Sequence, residues 1–143
     1  MTWWNITLMV VCLVVCGLFA LFGVLAIASA KSSIKAYRED ERNWKAFGSR
    51  GVAADARIVR LGRHPQRLTK AGNYRSNQVA ATDIRIAYTA ADGISHEVDV
   101  RTFVDTSLLA NFTPGTAISI VVSPEDSMRV AVDRNRTLLE IER

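Results

Sequence analysis

The sequence predicts a mainly β protein, in which an N-terminal transmembrane helix precedes a small five-stranded antiparallel barrel or sandwich. Residues 1–30 contain no Asp, Glu, Lys, Arg or His, so all 18 basic and all 14 acidic side chains follow them. From Val52 onward, apolar residues recur at every second position, as they do in a strand with one buried face. We therefore divide the chain into an anchor (1–30), a juxtamembrane helical connector (31–48), a β domain (51–133) and a C-terminal tail for which a short helix is considered (134–143).

The apolar run from Ile6 to Ala28 predicts the anchor helix. About 20 residues of helix cross the hydrocarbon core of a bilayer, and lipid offers the backbone no hydrogen-bond partners of its own. Trp3 and Trp4 precede the run, whereas Lys31 and Lys35 follow it. Amphipathic and cationic side chains favour the headgroup region, so we assign these four residues to the membrane interface.

A cleaved signal peptide is the alternative interpretation of this segment. The sequence Ala28-Ser29-Ala30 is similar to a small-residue cleavage site. However, no basic residue precedes the apolar run, and the run is longer than the 7 to 15 residues typical of signal peptides. We therefore expect an uncleaved anchor.

Small residues share one face of the predicted anchor helix. Cys16, Ala20 and Gly23 follow one another at helical spacing, and Cys12 lies one turn earlier. Small side chains let helices approach closely in lipid, which makes this face a candidate for helix–helix packing and for a homo-oligomer. The alternative is that small residues are simply common in membrane helices.

The connector shows a helical pattern of its own. Ile34, Tyr37, Trp44 and Phe47 recur at helical spacing, and Gly48 is suited to ending the helix. One interpretation is an interfacial or partner-binding helix. We favour a connector whose aromatic side packs onto the β domain.

Short alternating segments predict the five strands of the β domain. Asp92-Gly93 is a strong hairpin signal, because glycine tolerates the positive φ that such turns need. Pro114-Gly115 and Ser123-Pro124 are further breaks. The predicted strands are centred on Val52–Ile58, Ile84–Tyr88, Val98–Val100, Ile118–Val122 and Met128–Val132.

The order of these motifs resembles a bacterial family of membrane-anchored small β domains of unknown function. The resemblance covers about residues 51–133 and includes Tyr88 to Gly93, Pro114-Gly115 and Ser123-Pro124-Glu125-Asp126. Where the family typically has Tyr and Pro around its closing turn, this chain has Val122 and Ser127. The resemblance implies the fold and a bacterial membrane setting, and it implies no activity.

Residues suited to catalysis or metal binding are scattered in the sequence. His64 and His96 have no Cys, Asp or Glu near them at metal-ligand spacing, and we expect His96 to be hydrogen-bonded at the sheet margin. Glu97 and Asp99 share one strand face, but nothing in the pattern drives their pKa values apart, as acid–base catalysis requires. We therefore predict no enzyme activity, no metal and no cofactor.

One stretch of the β domain is strongly basic. Between Asp55 and Asp83 there is no acidic residue. A basic loop next to a membrane attracts anionic lipid headgroups or an acidic protein partner, although a merely solvated loop is the alternative. Tyr74 alone is no stacking platform for nucleic acid. The candidate anion-binding residues are Arg60, Arg63, Arg67, Lys70 and Arg75.

These observations together predict a non-enzymatic, single-pass, membrane-tethered protein-interaction module of a bacterial inner membrane. Its expected partners are membrane lipid and a protein of an envelope complex. The alternative is a membrane-anchored immunity protein that neutralises a toxin by binding it. Basic residues follow the anchor and none precedes it, so the positive-inside rule favours a cytoplasmic β domain, although the acidic residues at 39–41 dilute the cluster.

Overall fold

The computed structural model describes residues 3–63 and 79–141. The chain divides into two compact units, Met1–Ser33 and Ile34–Arg143. The first unit is helical, and α1 runs without interruption over Trp3–Tyr37. Its segment Trp3–Ala26 is long and apolar enough to cross a membrane, and none of it is buried within the protein. The predicted N-terminal apolar helix is therefore confirmed.

The second unit contains five antiparallel strands in a nearly closed, barrel-like sheet. The strand order is β3-β2-β1-β4-β5. This arrangement confirms the predicted fold class. The strands are β1 (Val52–Arg63), β2 (Val79–Thr89), β3 (Ser95–Asp105), β4 (Ala117–Val122) and β5 (Val130–Val132).

The core lies inside this sheet and is built from the predicted alternation. Ile84 and Ile86 of β2 are fully buried, as are Ile58 of β1 and Ile120 of β4. Burying one such side chain contributes about 1.5 to 3 kcal/mol. The alternate apolar positions of each strand therefore decide which face of the sheet forms the interior.

The predicted turns are present. Gly93 has a φ of 83° and Gly115 a φ of 91°, values that glycine adopts without strain. At the β2–β3 hairpin, Ala90 N–H donates to Ile94 O at 2.9 Å, and Ile94 N–H donates to the Asp92 carboxylate at 2.9 Å.

The strands differ in length from the sequence prediction. β1 continues to Arg63, beyond an irregularity between Ile58 and Arg60 that shifts the register and interrupts the apolar alternation. β5 begins at Val130, because Met128 belongs to the preceding turn, where its N–H donates to Asp126. After β3, a 3₁₀-helix over Thr106–Phe112 was not predicted, and it buries Leu109 and Phe112.

The predicted connector consists of the end of α1 and of α2 (Glu39–Phe47), which are separated at Arg38. Its aromatic side packs onto the sheet, as favoured above. Tyr37 packs with Phe103, and their ring centroids are 5.9 Å apart. Phe47 packs with Val121 and Ala131 on the strands β4 and β5.

Over residues 134–141, the described part of the C-terminal tail, the helix considered from the sequence is not formed. The chain turns at Asp133, whose backbone carbonyl accepts from Thr137 N–H at 2.7 Å, and it is irregular from there to Ile141. Leu139 is buried in the core, and its carbonyl accepts from Asp105 N–H at 2.8 Å. Burial of Leu139 against the sheet holds the tail in this non-helical path.

Candidate interaction surfaces

The residues predicted to act in the membrane lie along α1. Trp3 and Trp4 are 89% and 78% exposed at its first turn. Lys35 is exposed in its last turn, and Lys31 lies on the helix with a side chain outside the described part.

The predicted packing face is also open. Cys16 is an exposed free thiol, as is Cys12, and Ala20 and Gly23 are exposed on the same helix. A methyl group added at Gly23 would meet no described atom within 4 Å. This face is therefore accessible to another helix or to lipid.

In the β domain, α2 covers the free edge of β5. Val132 N–H donates to Asp40 Oδ1 at 2.8 Å, and Asn43 Nδ2 donates to Val130 O at 3.1 Å. An uncovered strand edge offers unpaired backbone groups to other chains. Two side chains one helical turn apart thus take the place of a neighbouring strand.

Asp40 also links α2 to β3 and to the C-terminal turn. Its Oδ2 accepts from the Thr102 hydroxyl at 3.1 Å and from the Arg134 guanidinium at 3.0 Å. The carboxyl group is buried, and this burial raises its pKa, while the bonds from Val132, Arg134 and Thr102 act in the opposite direction. Because all these contacts are within the protein, Asp40 has a structural role.

A ladder of charges lies on the outer face of β2 and β3. Arg85 forms a bidentate pair with Asp99, with both N···O distances at 2.8 Å, and this hydrogen bonding lowers the pKa of Asp99. Arg101 lies 3.3 Å from Asp83, which also accepts from the Tyr37 hydroxyl at 2.9 Å. Burial, together with Asp83, raises the pKa of Tyr37 to about 12.

Two of the five predicted anion-binding residues are described. Arg60 and Arg63 are exposed in the C-terminal part of β1, so these two residues lie on a strand and not in the predicted basic loop. The other three, Arg67, Lys70 and Arg75, lie outside the described residues, as does His64. Val79, the first residue of β2, packs beside Tyr37. The chain therefore enters the β domain beside the start of β2, at the end of the β1–β2 pair that carries Arg63.

The opposite end of the β1–β2 pair holds a groove of about 570 Å³. Three segments line it: 52–55 of β1, 89–92 at the end of β2, and 122–127 between β4 and β5. Behind it, the Tyr88 hydroxyl donates to Ser127 O, which ties β2 to the β4–β5 connection. Burial raises the pKa of Tyr88, as do the nearby charges of Asp126 and Asp92. The sequence analysis did not predict this groove, because its walls come from three separate segments.

The scattered titratable residues stay apart in the structure. Within 3–63 and 79–141, no three His, Cys, Asp or Glu side chains come together as a metal site. One ring nitrogen of His96, the buried Nε2, has no hydrogen-bond partner among the described residues. Its ring packs against Tyr88, with centroids 5.5 Å apart. Asp99 pairs with Arg85 on the exposed face, beside the exposed Glu97.

The chain matches no protein-family model, no curated protein and no solved structure. The resemblance to a bacterial family of membrane-anchored β domains stays a prediction.

Proposed function

We propose that this chain is a single-pass, membrane-tethered binding module without enzymatic activity. The observation that carries the proposal is the pairing of two features in one chain. One is an apolar helix whose span Trp3–Ala26 is wholly unburied by protein. The other is a β domain with a continuous core of its own. An unburied apolar helix of that length needs lipid around it, and the β domain then remains at the membrane surface.

We propose the cytoplasmic membrane of a bacterium as the location, with the β domain on the cytoplasmic side. Basic residues within the first turns after the anchor support this orientation, since none precedes the apolar run. Reporter fusions after residue 141 test it. A fluorescent protein that folds only in the cytoplasm should be bright there, and alkaline phosphatase should be inactive. The reverse pattern would place the β domain outside the cytoplasm.

Anionic lipid is the proposed partner of the basic end of the β domain. Arg60 and Arg63 are exposed at this end, and the 64–78 segment that follows adds Arg67, Lys70 and Arg75. Only ten residues separate Ala26, the end of the apolar span, from Tyr37, which packs at this same end. Each basic residue near an anionic leaflet contributes roughly 1 kcal/mol of attraction, so the cluster would hold this end towards the headgroups.

Vesicle binding tests the lipid contact. The fragment 31–143 should sediment with vesicles containing phosphatidylglycerol at low salt, and less so at high salt. Changing Arg60, Arg63, Arg67, Lys70 and Arg75 to Gln should abolish sedimentation. Equal sedimentation with purely zwitterionic vesicles, or no effect of the five changes, would contradict the proposal.

A protein partner is tested in native membranes by photo-crosslinking. A photoreactive residue is placed at exposed positions around the β domain, such as Ala91, Glu97 or Arg63. A binding module should give a discrete adduct with one protein from a few neighbouring positions. No adduct from any face of the domain would count against a binding role.

A further inference from the structure

The groove exists because β1 extends beyond its partner β2. The β1–β2 ladder runs from Arg63 opposite Thr82 to Ala56 opposite Tyr88. Residues 52–55 of β1 continue past this point, paired on their other side with residues 119–122 of β4. β2 ends at Thr89 and turns away towards β3. The opening between the two strands is the groove of about 570 Å³.

The backbone of Ala53 faces this groove. Ile58 N–H donates to Thr116 O on the β4 side at 2.9 Å. Residues of a strand direct their backbone groups alternately to the two sides, so Ala54 and Ala56 point to β4, whereas Ala53 points to the groove. Within the described chain, the ladder gives Ala53 no partner on that side. Within residues 3–63 and 79–141, Asp40 and Asn43 cover the β5 edge, whereas Ala53 has no ladder partner on the groove side.

The groove is lined by apolar side chains, by the hydroxyl groups of Thr89, Ser123 and Ser127, and by acidic side chains. Val52 is 50% exposed there, beside Ala53, Ala91 and Pro124. No basic residue is among the described residues that line the groove. Within the described chain, none of its four carboxylates forms an ion pair. These carboxylates belong to Asp55, Asp92, Glu125 and Asp126.

We propose that this groove docks an extended, basic segment of a partner protein. The segment adds to the edge of β1 as a short strand, with its backbone bonded to Ala53, in the manner of β-augmentation. Residues 52–55 of β1 span about 10 Å, which sets the docked length at about four residues. Side chains alternate along a strand, so Lys or Arg at every second position lies against the acidic side chains, while apolar residues between them contact Val52 and the alanines.

This proposal names the partner class for the binding module and rests on that proposed function. The proposed peptide site differs from the proposed lipid site in both charge and position, because the acidic groove and the basic Arg63 lie at opposite ends of β1. Ten residue steps separate Ala53 from Arg63, or about 33 Å along an extended strand. The same domain would thus face anionic lipid with one end and a basic peptide with the other.

The test uses the full chain in nanodiscs of zwitterionic lipid. The probe is a fluorescein-labelled peptide of about eight residues that alternates Lys and Val, and its binding is followed by fluorescence anisotropy. A peptide that alternates Glu and Val is the charge control. The Lys-Val peptide should bind and the Glu-Val peptide should not, and equal binding of the two would overturn the proposal.

Matched variants locate the binding site. Asp55→Asn with Glu125→Gln removes two groove charges that form no described side-chain bond. Glu39→Gln with Glu97→Gln removes two exposed charges elsewhere. Two exposed ion pairs correspond to roughly a tenfold change in affinity. The groove variant should therefore bind about tenfold more weakly, and the control should bind like the unchanged protein. An equal loss in both variants would mean non-specific charge attraction and would overturn the proposal.

A second measurement tests the strand addition without altering the protein. The Lys-Val peptide is methylated at every second backbone nitrogen, in both alternating registers. Methylation of the nitrogens that face β1 should abolish binding, whereas methylation in the other register should leave it. Undiminished binding of both methylated peptides would overturn the proposal. It would also be overturned if the chain formed dimers that the double change Asp55→Asn with Glu125→Gln disrupts. If peptide binding fails while photo-crosslinks persist in native membranes, the groove proposal fails and the binding module stands.

Discussion

The carboxylate of Asp40 in α2 accepts the backbone N–H of Val132 in β5 at 2.8 Å. This bond joins a residue of the connector to the last strand, 92 positions later in the chain. It makes α2 part of the β domain, because the helix side chain occupies the place where a sixth strand would pair. The helix α2 is thereby fixed to the sheet.

Asp40→Ala should be strongly destabilising. The change leaves Val132 N–H and Arg134 without their acceptor, and breaking a buried charge pair costs about 3 to 5 kcal/mol. Asp40→Asn keeps an acceptor for Val132 and should cost less. Glu39→Gln, on the exposed neighbouring residue, should change the free energy of unfolding by under about 0.5 kcal/mol. Urea unfolding of residues 31–143 measures all three, and equal effects of Asp40→Ala and Glu39→Gln would contradict this role.

Asp40 should also give the β domain a specific pH dependence. Burial raises its pKa above 3.8 in the folded state, so the folded chain retains a proton that the unfolded chain has lost. The free energy of unfolding therefore decreases as pH rises from about 3.8 through the folded-state pKa, and this group contributes no further change above it.

Asp99 changes the free energy of unfolding with pH in the opposite direction to Asp40, and it does so over a lower pH range. Hydrogen bonding to Arg85 lowers its pKa below 3.8, so its contribution is present above about pH 3.8 and is lost as pH falls through its folded-state value. Urea unfolding across both windows separates the two groups. In Asp40→Asn, the free energy of unfolding should no longer decrease as pH rises above 3.8, but it should still fall when pH drops below 3.8. In Asp99→Asn, the decrease above pH 3.8 should remain, and the fall below pH 3.8 should be smaller. A decrease that survives in Asp40→Asn would assign it to another group.

Gly51→Ala tests the close approach between the end of α2 and the start of β1. A methyl group at Gly51 would lie 2.7 Å from Val122 O and 2.9 Å from Phe47 O, and backbone atoms cannot move aside cheaply. We expect overpacking to lower the free energy of unfolding by about 1 to 3 kcal/mol. Gly62→Ala is the matched control, since its nearest contact is 3.6 Å, to Asp83. Thermal unfolding that ranks the two variants equally would contradict the packing described for Gly51.

Ile86→Asp should prevent folding of the β domain. Ile86 is fully buried in the core, and an unpaired carboxylate there costs more than about 4 kcal/mol. Thr89→Asp, at the exposed end of the same strand, is the control and should fold. Circular dichroism of residues 31–143 distinguishes the two, and a native strand spectrum for Ile86→Asp would contradict the assigned core.

Local patterns were sufficient to predict the anchor helix, the fold class and the turns. The spacing of Ile84, Ile86 and Tyr88 at every second position predicts the buried face of β2. Asp92-Gly93 predicts a hairpin turn, which needs a positive φ. These signals act within a few residues, so they are readable without tertiary contacts.

The unpredicted features depend on contacts distant in sequence. The sequence shows Asp40 only as one of three consecutive acidic residues, because its partners Thr102 and Arg134 are 62 and 94 positions away. The irregularity after Ile58 interrupts the alternation, so the continuation of β1 to Arg63 carried no periodic signal. The acidic lining of the groove combines residues from three segments and forms only when the sheet closes.

Intact-mass measurement of the membrane pellet that resists alkaline carbonate extraction shows whether α1 is retained as a membrane anchor. If α1 is the uncleaved membrane anchor proposed above, the protein in this fraction retains residues 1–30. The matched fragment 31–143 should instead remain in the supernatant. Recovery of the full chain as a carbonate-extractable protein, or of a mature protein that begins at Lys31, would contradict the account.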